Sequence, residues 1–340
     1  MPTPSPIDRL VVGANFDGLA CALDAARAGE SVLLVDEAPR PGGRIRTQRT
    51  EGFVCEYGPF ALPRKDWDGY AARLRRPPAA IALQPGATTG FYWNGRELLQ
   101  APVGGDPVSG AGGLEDLVIA FRREVDDAAL DADGAREPVL QLSREVTALA
   151  PGEDGSLFAT LGGESPRTVI ARGVDLFVPL DRAARLLAPL DPALPDLCSR
   201  FDREPEAVCF VGYSNSAKVA AATGSYGIVL AEMLTQDAAP DAELDGIEEV
   251  VFCSSAYPRR AQTGKALIRV AFGGTAAAID DEVLLDQTRR ALHRMTGLED
   301  QPIFFRCHRG TRLVRNTVDL ECRVRVRALD RMLTKLRWHG

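Results

Sequence analysis

Ile7-Asp8-Arg9-Leu10-Val11-Val12-Gly13-Ala14-Asn15-Phe16-Asp17-Gly18 decides how the rest of the chain is read. The mostly apolar run Ile7 to Val12 stops abruptly at Gly13, the pattern of a short parallel strand buried on both faces. Beyond the turn, Leu19, Ala20, Leu23, Ala26 and Ala28 recur at helical spacing until Gly29 supplies a stop. Ser31 to Val35 then reads as a second apolar strand, closed by Asp36 and Glu37. Strand, glycine turn, helix and strand within about thirty residues make a βαβ unit of the dinucleotide-binding kind. The helix start offers unpaired N–H groups and a positive dipole end to a pyrophosphate. An acidic residue at the end of the second strand, here Asp36, suits the hydroxyls of a ribose.

The next segment strengthens that reading. Pro41-Gly42-Gly43-Arg44-Ile45-Arg46-Thr47 puts two adjacent glycines and an arginine just past the second strand, where backbone approaches a diphosphate and a guanidinium neutralises it. The turn itself departs from G-x-G-x-x-G. Its middle position is Asn15, whose side chain occupies space that glycine leaves open for a pyrophosphate. Asp17 adds a carboxylate in the first helical turn, which suits the helix dipole and opposes a bound phosphate. As an N-terminal cap, Asp17 would itself satisfy those N–H groups.

These stretches, together with Gly52-Phe53-Val54-Cys55-Glu56-Tyr57-Gly58-Pro59, resemble the N-terminal part of the FAD-dependent amine oxidase superfamily, with the nearest likeness to protoporphyrinogen oxidases. Gly112-Gly113-Leu114-Glu115-Asp116-Leu117 resembles a segment that opens a helix in that family, and Phe177 through Leu187 fits as well. So do Gly224 through Leu230 and the run from Val251 to Gly274. The resemblance implies an α/β fold: a Rossmann-like FAD-binding lobe with a mixed or antiparallel sheet as second lobe. It implies FAD as cofactor, held by Gly13, Ala14, Asn15, Asp17, Gly18, Asp36, Glu37, Gly42, Gly43, Arg44, Gly58 and Pro59, with Val146 of Arg144-Glu145-Val146 at the adenine. Flavin would be the reacting group, and no catalytic side chain is assigned.

By this resemblance, two blocks of the family pattern are expected to be missing. Phe91-Tyr92-Trp93-Asn94-Gly95-Arg96 passes almost directly to Gly112-Gly113, where relatives carry a helical lobe over the substrate. Arg323 to Trp338 resembles the helix before a C-terminal flavin-contacting glycine motif, and the sequence stops at His339-Gly340. A face exposed by the lost lobe is expected to take a protein partner or a second copy.

Composition limits the alternatives. The 340 residues, 45% hydrophobic and 26% charged, can fill more than one core. A net charge of −7 argues against a nucleic-acid binder, although Arg306 to Gly340 carries ten Lys and Arg against Asp319, Glu321 and Asp330. That segment reads as a solvated helix face or as a docking patch for an acidic partner, phosphate or anionic membrane. Seven cysteines without a C-x-x-C pair, and three histidines without ligand spacing, favour neither a disulfide framework nor a metal site. There is no apolar run long enough to span a bilayer and no signal-peptide pattern at the start, so a cytoplasmic location is expected. Neither a G-x-S-x-G elbow nor a Walker sequence occurs. His308, near the expected flavin region, reads as either ring-facing or an isolated surface histidine.

The FAD-type lobe is expected to be discontinuous over 1–60, 110–190 and 280–338. A shortened connection over 61–109 and a remnant antiparallel substrate-side sheet over 191–275 complete the chain. The stretches 126–136 and 237–246 read as surface connections. Two functions remain open: a FAD-binding oxidoreductase with impaired or partner-dependent catalysis, and a non-catalytic binding or scaffolding module without flavin.

Overall fold

The computed structural model describes residues 6–94, 97–130, 139–152, 154–163, 165–230, 244–314, 316–333 and 335–340. Gly95, Arg96 and much of the two surface connections, 131–136 and 237–243, lie outside them.

The opening βαβ unit forms as its pattern requires. Strand Ile7–Val12 lies between Val32–Val35 and Arg167–Leu176, parallel to both. Leu10, Val12, Leu33 and Val35 enter one core, while Val11 and Leu34 enter another beneath helix Phe16–Arg27. Both faces are therefore buried, which is why these strands read as continuous apolar runs rather than as alternation. Helix Phe16–Arg27 packs its Leu19 and Leu23 with Phe121 and Val125 of helix Glu115–Leu130. Strands Leu157–Leu161 and Val146–Pro151 extend the sheet in antiparallel fashion, Leu140–Gln141 sits beyond Val32–Val35, and Leu336–Trp338 pairs with Arg167–Leu176.

The second sheet runs in the order Phe304–Leu313, Arg203–Tyr213, Ala266–Gly273, Ile247–Val251, Gly227–Leu230, Thr89–Trp93 and Leu98–Pro102. Its pairs are antiparallel except Gly227–Leu230 with Thr89–Trp93. One face, with Cys209, Val211, Ile268 and Val270, is covered by Leu284, Leu292 and Met295 of helix Asp281–Thr296. The other face presents Phe210, Leu267 and Phe304 to Phe53, Phe60 and Tyr257, which joins the two lobes.

This arrangement redraws one expected boundary. Helix Asp281–Thr296 and strand Phe304–Leu313 belong to the second sheet, so of 280–338 only helix Thr317–Met332 and strand Leu336–Trp338 join the first lobe. The connection 61–109 also contributes two strands to the second sheet, and its only helix among the described residues is Arg64–Ala71.

Candidate functional site

Gly13 is the hinge of the strand-to-helix turn. Its φ is +103°, and a Cβ there would lie 2.3 Å from the Phe177 carbonyl oxygen. Gly18 presses the helix onto that turn so closely that a Cβ would fall 1.9 Å from the Gly13 oxygen. Both glycines are fixed by backbone approach, the property a phosphate-binding turn requires.

Asn15 caps the helix. Its Oδ1 accepts the Gly18 amide at 2.9 Å, and its Nδ2 donates to the Phe177 carbonyl at 3.2 Å. The expectation that Asp17 would cap is thereby corrected. A cap needs extended backbone so that its side chain can turn back to an amide further on, and Asn15 has it whereas Asp17 is already within the helix. The Asp17 carboxylate accepts instead from the Tyr70 hydroxyl at 2.7 Å. Burial, and then that bond, push the Tyr70 phenol well above its ordinary value, so it remains a donor.

Asp36 ties strand to turn, accepting the Ala14 amide at 2.6 Å and the Ala38 amide at 2.8 Å. The Gly42 amide donates to the Ala14 carbonyl at 2.7 Å, which lays the second glycine turn on the first. A Cβ on Gly43 would stand 3.3 Å from the Cβ of Asn15. Gly13, Ala14, Asn15, Gly18, Asp36, Gly42 and Gly43 thus converge around one helix start. Glu37 lies at an adjoining corner, where Arg182 reaches Glu37 at 3.1 Å, Glu145 at 2.7 Å and the Val146 carbonyl at 3.0 Å. The Val146 side chain itself is buried in the first-lobe core, so only its backbone faces that corner.

Arg44, next in sequence to Gly43, lines a cleft of about 500 Å³ together with Gly58 and Pro59. Arg44 donates to both carboxylate oxygens of Glu206, at 2.8 and 2.9 Å, and a Cβ on Gly58 would meet the Arg44 carbonyl at 2.1 Å. Two further ion pairs line the same cleft: Arg269 with Glu249 at 2.6 Å, and Arg312 with Glu248. These residues escaped the sequence reading, although a lone arginine inside the apolar run Ala266–Gly273 was a usable signal. His308 is exposed on the edge strand Phe304–Leu313, with its ring edge-on against Tyr57 at 5.1 Å, and partial desolvation lowers its pKa.

Glu56, within the Gly52–Pro59 stretch, is fully buried. It accepts from Thr47 Oγ1 and from the Leu114 amide, both at 2.8 Å, joining the Gly52–Pro59 stretch to the start of helix Glu115–Leu130. Burial pushes its carboxyl up to about 7. Among the described residues, no group of three or more His, Cys, Asp or Glu is placed to hold a metal, and no helix is long and apolar enough to cross a membrane.

Residues 68–311 match the flavin containing amine oxidoreductase family, and residues 11–74 match the NAD(P)-binding Rossmann-like domain. The chain belongs to the flavin containing amine oxidoreductase family, and membership implies a FAD site. An L-amino-acid oxidase of Daboia russelii is 40% identical over 65 residues, 18% of this chain and 13% of that protein; the L-amino acid oxidase Lm29 of Lachesis muta matches to the same extent. The alignment therefore spans 13% of the length of these curated relatives. In fold, the chain is similar to the "Putative protoporphyrinogen oxidase" of Exiguobacterium sp. 255-15, with a TM-score of 0.72, 14% identity, and 99% of this chain and 94% of that one covered. It is also similar to the cyclohexylamine oxidase of Brevibacterium oxydans IH-35A, with a TM-score of 0.68, 13% identity, and 99% and 93% covered.

Proposed function

We propose that this protein is a FAD-binding oxidoreductase-family member whose dinucleotide site is weakened and whose catalysis is impaired or depends on a partner. The observation that carries this reading is the Asn15 cap. The backbone turn has the dinucleotide-binding form, since Gly13 and Gly18 are held to glycine by the tight turn and by the close packing of the helix on it. The side chain set on it does not suit a dinucleotide, because Asn15 Oδ1 already holds the Gly18 amide, a donor at the anion-binding end of the helix. A diphosphate must displace or share that bond, which costs about 1 kcal/mol. It must also lie near the Asp17 carboxylate, a repulsion of order 1 kcal/mol or more at reduced dielectric. Together these weaken binding by roughly one to two orders of magnitude.

When bound, FAD would supply the electron acceptor for oxidising a substrate. This chain's own contribution is to hold it: Gly42 and Gly43 lay backbone beside the turn, and Asp36 retains lone pairs for ribose hydroxyls after accepting two amides. The test compares absorbance and thermal stability of the purified protein with and without FAD, for the wild type and for Asn15→Gly. Weak stabilisation of the wild type and stronger stabilisation of the variant support the reading.

The cleft favours a second reading, a non-catalytic binding or scaffolding module without flavin that engages a protein partner or a second copy. Its walls carry three Arg–Glu pairs, Arg44–Glu206, Arg269–Glu249 and Arg312–Glu248, with Arg312 also held by Glu204. Absence of any shift at saturating FAD in both proteins would decide for it.

A further inference from the structure

We propose that Cys209 and Cys307 form a reversible cross-strand disulfide, made by thiol–disulfide exchange with a low-molecular-weight disulfide such as oxidised glutathione. The two residues are direct partners in the antiparallel pairing of strands Arg203–Tyr213 and Phe304–Leu313, and the register runs without a shift from Arg203↔Leu313 to Gly212↔Phe304. Directly opposed residues in such a ladder have Cα atoms about 4.5–5.5 Å apart, inside the range of about 4.4–6.8 Å that a disulfide spans. Their sulfurs are 3.2 Å apart, so closing the bond needs only a small side-chain movement and no change of register.

The two thiols have unequal roles. Cys209 is fully buried, whereas Cys307 is half-buried on the strand at the sheet's edge. Cys209 donates its S–H to the Cys307 sulfur, which lowers the Cys307 pKa and raises that of Cys209; Arg309, two residues along, also favours the Cys307 thiolate. Cys307 is therefore the attacking group. Its thiolate attacks one sulfur of oxidised glutathione, forming a mixed disulfide and expelling one glutathione thiolate. Cys209 then gives up its proton and attacks the Cys307 sulfur, expelling the second glutathione thiolate. Two protein thiols are oxidised and one glutathione disulfide is reduced to two thiols, so electrons and atoms balance.

The experiment treats the full chain with oxidised glutathione, alkylates the remaining thiols, and reads intact mass and linked peptides. The expected result is two fewer alkylated thiols of the seven, a Cys209–Cys307 peptide, and reversal by reduced glutathione. Oxidised protein should also unfold at a higher temperature, because the link closes a long loop. Cys209→Ala should trap glutathione on Cys307, and Cys307→Ser should leave Cys209 unmodified. A linkage mapped elsewhere, glutathione retained on Cys307 of the wild type, or all seven thiols still alkylated overturns the proposal, and each is read on the wild type whether or not the variants fold.

Discussion

Two helices of the first lobe begin at glycine turns, and their starts are satisfied in opposite ways. Helix Phe16–Arg27 is capped from within its own turn by the neutral, partly exposed Asn15. Helix Glu115–Leu130 is met by Glu56, a buried carboxyl delivered from a distant strand to the Leu114 amide. A local neutral cap can be exchanged at small cost and leaves further helix-start amides for an anion. A remote buried carboxyl fixes two chain segments together and titrates. The first arrangement suits a ligand-binding end, and the second suits a structural joint.

The largest effect should come from the shape common to the turns. In Gly18→Ala the new methyl would stand 1.9 Å from the Gly13 carbonyl oxygen, backbone that cannot swing aside. Destabilisation of about 3 kcal/mol or more is expected, read as a drop in the denaturant midpoint. A wild-type midpoint in this variant would mean that the turn is looser than the close approach requires.

Next comes the joint. Glu56→Ala leaves the Thr47 hydroxyl and the Leu114 amide without their buried acceptor and opens a cavity, at a cost of about 2–4 kcal/mol. Its pH signature is separable from its size. The folded Glu56 carboxyl titrates near 7 against 4.5 as the reference value, so the folded state binds the extra proton between those limits and its stability falls as pH rises through them. His308, whose folded pKa lies below 6.5, acts with the opposite sign just under that value. The informative quantity is therefore the difference between wild type and Glu56→Gln across pH 4.5 to 7. A Glu56→Gln profile parallel to the wild type would show that Glu56 does not titrate in this window.

What was legible in the sequence follows the range of the interactions. The strand, the turn and the helix, with Asp36 at the end of the second strand, were readable because each is set by neighbours within one βαβ unit. The choice of Asp17 as cap failed on a local detail, since composition shows that an acidic residue lies near a helix start and not which residue keeps extended backbone. Glu56 could not be recognised, because its partners Thr47 and Leu114 meet it only after two segments fold together. Arg269 likewise needed the partner strand carrying Glu249. The apolar spacing of helix Asp281–Thr296 is the same whichever sheet it covers, so its assignment to the first lobe was a question of tertiary contact that periodicity does not answer.

The smallest effects lie at Asn15, and there the order of variants matters more than the size. Asn15→Ala loses the cap at a cost of about 1 kcal/mol, while Asn15→Gly costs only a few tenths because glycine is tolerated at that position. Stability should therefore rank wild type, glycine, alanine. Affinity for FAD should rank differently: glycine first, because it removes both the competing amide and the Cβ that faces Gly43, then alanine, then wild type. Thermal unfolding without ligand and FAD titration measure the two series separately. Crossed orders would identify Asn15 as a competitor for the phosphate position. If affinity simply followed stability, the side chain would be shaping the turn rather than occupying a ligand's place, and the weakening of the site would have to be sought at Asp17.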